Sequence, residues 1–140
     1  MGTPNSVIQP MQKLQKVQNT AARLILRAPR HQNCTPLLQQ PHWLPISEQI
    51  KYKTVCMCYN AITGSAPSYL SELLHLYSPS RFRSSSDTRM LKLQRFNRKT
   101  HGFRTFSHFG PHIWNNFPQD IRHSATLSSF NSKLKTFLFS

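Results

Sequence analysis

Acidic residues are almost missing from this 140-residue chain: Glu48, Glu72, Asp87 and Asp120 stand alone against eighteen lysines and arginines. No Asp-Asp or Asp-x-Asp occurs. Two-metal phosphoryl transfer needs several carboxylates converging on one point, so this shortage disfavours it at once. Glycine is nearly as scarce, at four residues, and the sequence holds neither a phosphate-cradling loop nor a Gly-x-Ser-x-Gly nucleophile turn. No stretch approaches the ~18 consecutive apolar residues of a membrane span. Residues 1–10 lack the apolar core of a signal peptide, and the terminal Phe137-Leu138-Phe139-Ser140 is not a prenylation box. Cysteine is limited to Cys34, Cys56 and Cys58, an odd count that fits a reducing compartment. The expectation is an intracellular protein, nuclear or cytoplasmic, not secreted and without a membrane partner.

What is abundant is positive charge. A formal net charge of +14 favours a polyanionic partner, and nucleic acid is the commonest. Apolar residues make up 38% of the chain, enough for a modest single core, while ten prolines divide it into short elements.

Residues 1–10 read as a disordered lead. From Met11 the spacing turns helical, with Leu14, Val17, Ala21, Leu24, Ile25 and Ala28 recurring at three- and four-residue steps and Lys16, Arg23, Arg27 and Arg30 mainly between them. Pro29 ends this basic amphipathic helix. Thr35-Pro36 has the form of an N-cap and first helical proline opening a short turn to Gln39. Trp43, between Pro41 and Pro45, reads as a packing anchor. Ser47 is placed to cap a helix with Ile50, Thr54, Met57, Cys58 and Ala61 on one side, closed by Gly64 in the left-handed conformation. Ser65-Ala66-Pro67 opens another, with Tyr69, Leu70, Leu73 and Leu74 inward, ending near Tyr77-Ser78-Pro79.

Beyond Pro79 the character shifts to a Ser-rich, basic stretch. Arg89 to Phe96 alternates, with Leu91 and Leu93 on one face, and reads as a short strand pairing with Thr100 to Phe106 across Asn97-Arg98-Lys99. Phe106, Phe109, Ile113, Trp114 and Phe117 then form an aromatic cluster partly at helical spacing, stopped by Pro118. A last helix from about Thr126 carries Leu127, Phe130, Leu134, Phe137 and Leu138 on one side. The fold class expected is mainly α: a small helical domain with one β-hairpin, disordered at the N-terminus and around residues 78–88. Its parts are a helical 11–77, a basic 78–104 and an aromatic helical 105–139.

Cys56-x-Cys58 is a weak metal signal. Two residues apart on a helix point about 200° apart, so the thiols do not share an ion easily, and buried structural cysteine is the better account. His101, His108 and His112 near helical spacing have no acid close in sequence to orient them and read as pH-tunable polar groups. No cofactor, metal or catalytic residue is expected. The candidate site is cationic: Lys13, Lys16, Arg23 and Arg27 on the first helix, then Arg81, Arg83, Arg89, Lys92, Arg95, Arg98, Lys99 and Arg104. Arg81-Phe82-Arg83, Arg95-Phe96 and Phe103-Arg104 set rings beside guanidinium groups, which suits phosphate contact with base stacking. The competing account makes those rings core and the arginines solvated.

The order of short sequence words adds a resemblance. Leu14-Gln-Lys-Val-Gln-Asn-Thr-Ala-Ala-Arg-Leu24, His42-Trp-Leu-Pro-Ile46, Tyr59-Asn-Ala-Ile-Thr-Gly-Ser-Ala-Pro-Ser-Tyr-Leu70 and Tyr77-Ser-Pro-Ser-Arg81 follow one another. Gly102-Phe-Arg-Thr-Phe-Ser107, Trp114-Asn-Asn-Phe-Pro118 with Asp120-Ile-Arg122, and Ser129-Phe-Asn-Ser-Lys-Leu-Lys135 complete the series. Together, over residues 11–139, they resemble the C-terminal, post-polymerase end of the polyprotein of non-LTR (LINE-type) retrotransposons of the chicken-repeat and L2-like group. Phe117 stands where that family tends to carry Leu, and Asn60 where it carries Lys. The resemblance implies a non-catalytic tail, detached from its reverse transcriptase, that holds RNA or DNA non-specifically through phosphate contacts. Its alternatives are a structural module docking on a reverse-transcriptase body and a relic reading frame without a selected function.

Overall fold

The computed structural model describes residues 5–78, 89–94 and 105–140, with residues 5–8 as backbone only. Among them the chain is mainly helical, as the sequence reading expects. The helices are α1 (Asn5–Leu26), α2 (Cys34–Gln39), α3 (Ile46–Ile62), α4 (Ser68–Ser71), α5 (Phe106–Asn115), α6 (Gln119–Arg122) and α7 (Leu127–Phe139). The chain divides into two compact units: residues 1–50 with 138–140, and residues 51–137.

In the first unit α1 starts at Asn5, not after Pro10, and carries Pro10 inside it. A proline so near a helix start removes one N–H and leaves the following turns free to propagate. The larger surprise is the face that α1 turns inward. Ala22 is buried against Leu37 and Leu38 of α2, with Leu26, Ala28 and Trp43 packed around them. Gln18 Nε2 donates to the Leu44 carbonyl at 2.8 Å, and the Ile46 N–H donates to Gln15 Oε1 at 2.8 Å. The second bond supplies a cap to α3 from a distant side chain, and it explains why α3 opens at Ile46 without needing Ser47 as its cap. Trp43 is half-buried in this cluster, as an anchor should be.

Two helix ends here close on non-glycine residues. Ala28 N–H donates to the Arg23 carbonyl and Arg27 N–H to that of Leu24, with Arg27 at φ 50°. Trp43 N–H donates to the Leu38 carbonyl and His42 N–H to that of Gln39, with His42 at φ 55°. Both are Schellman-type closures, which need a left-handed residue and normally use glycine. The start of α2 also differs from expectation. Asn33, not Thr35, is the cap, its side chain accepting from the Thr35 N–H, because Asn competes for backbone donors more readily than Thr.

The second unit is built on aromatic residues. Val55, Cys58 and Tyr59 of α3, Ile113 and Trp114 of α5, Phe117, Ile121 of α6, and Phe130 and Leu134 of α7 are its buried apolar residues. Tyr59 stacks on Phe130 with ring centroids 4.3 Å apart, and Trp114 lies 6.0 Å from Phe130. The inward face of α3 is thus set by Val55 and Tyr59, while Ile50 and Met57, expected inside, are exposed. Gly64 closes α3 at φ 76°, with Ser65 N–H on the Asn60 carbonyl, as expected. The helix after Pro67 is a single turn, Ser68–Ser71; Leu74 is buried but Tyr69 and Leu73 are not.

Beyond that turn the chain is extended. Leu76 forms an isolated antiparallel bridge with Leu91, with Tyr77 N–H on the Met90 carbonyl and Lys92 N–H on that of His75, both 2.8 Å. The other edge of Leu91 is occupied by Asn115, whose amide accepts from Leu91 N–H at 2.9 Å and donates to its carbonyl at 2.8 Å. A single side chain replaces a neighbouring strand. Residues 89–94 therefore pair with 75–77; most of the expected partner, 100–106, lies outside the described residues. Leu91 is buried and Leu93 exposed, so the two do not share an inward face.

α5 and α7 match the expected aromatic and C-terminal helices, and Thr126 Oγ1 caps α7 by accepting from the Ser129 N–H at 3.2 Å. α6 was not expected: a four-residue turn is too short for periodicity to reveal.

Candidate nucleic-acid interface

At about 100° per residue, Lys13, Lys16, Thr20 and Arg23 fall within an arc of about 80° on α1, and Arg27 follows where the helix closes. Lys13, Lys16 and Arg27 are exposed. Residues 5–30 contain no acid, so nothing in this stretch neutralises the row. From Lys13 to Arg27 it extends about 20 Å, a length along which duplex DNA presents about twelve phosphate charges. Arg23 is turned partly inward: Nη2 donates to the Gln32 carbonyl at 3.4 Å, while its buried Nε has no hydrogen-bond partner.

In the second unit the candidates part company. Arg89 Nη1 donates to the carbonyls of Arg122 at 2.9 Å and Ser124 at 3.3 Å, and its own carbonyl accepts from Trp114 Nε1 at 2.7 Å. Tyr59 Oη donates to the same Ser124 carbonyl, and the buried Arg122 Nε donates to that of Phe117. Arg89 thus ties α5, α6 and the extended segment together. A guanidinium engaged in that way holds the fold, with one nitrogen already committed to backbone oxygens. Lys92 is exposed beside the bridge. Arg81, Arg83, Arg95, Arg98, Lys99 and Arg104 lie outside the described residues, as do Phe82, Phe96 and Phe103.

Arg30, Lys53, Lys133 and Lys135, not among the candidate site residues, are exposed as well. Lys133 Nζ donates to the Asp120 carbonyl at 3.2 Å.

The thiols are set for packing rather than attack. Burial pushes Cys58 up to about 12, reinforced by the neighbouring Cys56. Cys56 is also raised, chiefly by burial, with a Tyr52 hydrogen bond and the Lys135 charge pulling it back. Both are protonated at neutral pH, and only a thiolate is nucleophilic or ligates a metal. Cys56 Sγ donates to Asn131 Oδ1 at 3.4 Å, joining α3 to α7. No group of three or more His, Cys, Asp or Glu side chains that could hold a metal occurs among the described residues. No helix among them is long and apolar enough to cross a membrane.

No family model, curated protein or solved structure matches the chain.

Proposed function

We propose that this protein is a non-catalytic, intracellular binder of nucleic-acid backbone, descended from the post-polymerase tail of a LINE-type polyprotein. The observation that carries the binding role is the exposed row of Lys13, Lys16 and Arg27 on a helix with no acid among residues 5–30. Phosphates are held by such cations through charge, and counterion release gives the binding its energy and its salt dependence. The reading is sequence-independent, because contacts to phosphate position a protein on the duplex without reporting base sequence.

Fluorescence anisotropy with a labelled 20-base-pair duplex and a 20-nucleotide RNA, titrated across salt, tests it. About six phosphate contacts give a slope of log K against log salt near −5 on duplex DNA. Lys13→Gln, Lys16→Gln and Arg27→Gln together remove about three contacts and flatten that slope by about 2.7. Two unrelated duplex sequences bind within about threefold of each other, as expected of backbone contact. A slope that is flat in the unmodified protein, or unmoved by the triple substitution, overturns the proposal. The ancestry is tested separately: polymerase-coding sequence directly upstream in the genome supports it, and unrelated sequence there removes it.

A further inference from the structure

The aliphatic residues of α1 are not where a soluble unit keeps them. Leu14, Val17, Leu24 and Ile25 are 55%, 67%, 74% and 62% exposed, although the same helix buries Ala22. On the helical wheel α1 has three faces. Gln15, Gln18, Ala22 and Leu26 turn to the unit's own interior, the aliphatic row lies on the next third, and the cations occupy the last. The row is bounded by packed protein on one edge and by Lys13, Lys16 and Arg27 on the other.

The spacing within the row identifies what fits it. Leu14, Val17, Ala21 and Leu24 alternate steps of three, four and three, the narrow seam of a helix that meets another helix side by side. On that register Lys13 takes the flanking position beside the seam, where a paired helix places the residue that chooses its partner. We propose that α1 is one half of a two-helix seam, and that its occupant is an amphipathic helix of another protein with aliphatic residues along its seam and carboxylates on the flank facing Lys13, Lys16 and Arg27.

Charge and shape separate this occupant from the others. A second copy brings another +14 and no acid on α1, so cations would face cations or neutral residues. A phosphate backbone satisfies the basic edge but leaves the aliphatic row in water. A lipid surface takes a broad apolar face with aromatic anchors, whereas residues 9–26 contain no aromatic residue and their row is only a seam wide. An acidic amphipathic helix covers both features at once. This inference does not depend on the nucleic-acid reading, since it rests on the aliphatic row and the positive charge beside it rather than on phosphate contact.

The test uses the full chain and a labelled synthetic peptide of three heptads, with Ile and Leu on its seam and Glu on both flanks. Anisotropy is expected to show saturable binding. The same peptide with Lys in place of the flanking Glu should bind at least about tenfold more weakly. In the protein, Val17→Gln with Leu24→Gln should weaken the acidic peptide by about tenfold or more, with the thermal melt and the salt slope on duplex DNA unchanged. Equal affinity for both peptides, no binding of the acidic one, or indifference to the Val17/Leu24 pair overturns the proposal. So does a chain that sediments as a dimer broken by those substitutions, which assigns the row to a second copy. Co-sedimentation with 7:3 phosphatidylcholine:phosphatidylserine vesicles that the same pair abolishes, without peptide binding, assigns it to lipid and equally overturns it.

Discussion

Adding one methyl group at Gly110 should destabilise the second unit, although alanine is the better helix former. Gly110 lies in the middle of α5, buried, and a Cβ there would stand 3.0 Å from Cys58 Sγ and 3.4 Å from the Phe106 ring. Two effects compete. Gly→Ala inside a helix contributes about 1 kcal/mol in favour of folding. Against it, a methyl forced into a filled core costs about 1–3 kcal/mol. Cys58 decides the sign, because it is fully buried on α3 among Val55, Tyr59 and the aromatic core and has one torsion with which to retreat. We expect Gly110→Ala to lose about 1 kcal/mol net, roughly 3–4 °C in Tm for a chain of this size. Cys58→Ala alone should lose a comparable ~1–2 kcal/mol by leaving a void. In the double variant the new methyl enters the space left by the sulfur, so its loss should fall below the sum by about 1 kcal/mol or more. Urea unfolding followed by tryptophan fluorescence reports this, since Trp114 is buried in the same unit. A Gly110→Ala variant that is more stable than its parent, or a pair of losses that add within about 0.4 kcal/mol, refutes the argument.

Two further outcomes are expected from residues already placed. Arg27→Gly and His42→Gly should each raise stability by about 0.5–1 kcal/mol in thermal melts, because both positions hold a side chain in the left-handed region. Gly64→Ala should lower it by about 1 kcal/mol even though its Cβ would meet nothing within 4 Å, and loss at Arg27→Gly instead would contradict the cap geometry. Alkaline unfolding should also carry a Cys58 component. The folded thiol keeps its proton up to about 12 while the unfolded one releases it near 9, so this stability is complete below about pH 9 and is lost as pH rises through that window. The slope, at most ~1.4 kcal/mol per pH unit for one proton, should be shallower in Cys58→Ala measured between pH 8 and 10.5; equal slopes would show that the thiol is not held protonated by the fold.

What the sequence made legible was the existence of helices, and what it concealed was their orientation. α1, α3, α5 and α7 announce themselves through repeats of three and four, since those positions must lie along one side of a helix whatever it packs against. The inference from "apolar side" to "inward side" is a separate step, and in α3 it fails by a small rotation. Ile50 and Met57 score as strongly as Val55 and Tyr59 on any hydrophobic scale, and the ring stacked on Tyr59 comes from Phe130, about seventy residues away. The extended segment was concealed for a different reason. Its pairing depends on Asn115, one polar side chain on another element, and no local pattern near Leu91 records it. Arg89 was hidden in the same way: a basic residue in a basic window reads as solvent-facing until carbonyl oxygens are found around it.

α1 brings these points together. Its glutamines and Ala22, not its leucines, face the unit's interior, because two glutamine side chains can satisfy the orphan groups of the 44–46 turn and Ala22 lets α2 approach closely. Leucines on that face would leave the Ile46 N–H without its partner, at about 1–3 kcal/mol if it stayed dry, and the Leu44 carbonyl with Gln49 Nε2 as its remaining donor. Local stability and the apolar pattern therefore demand different faces of the same helix, and the structure follows the hydrogen bonds. The aliphatic row left outside is then not an error of patterning but a second requirement written on the same residues. The same holds at its end, where Arg27 keeps a charge beside the row in a conformation that glycine would hold at lower cost. A helix that gives up both apolar burial and an easy cap is organised around something outside its own unit, and the seam and the cations together state the chemistry of that partner.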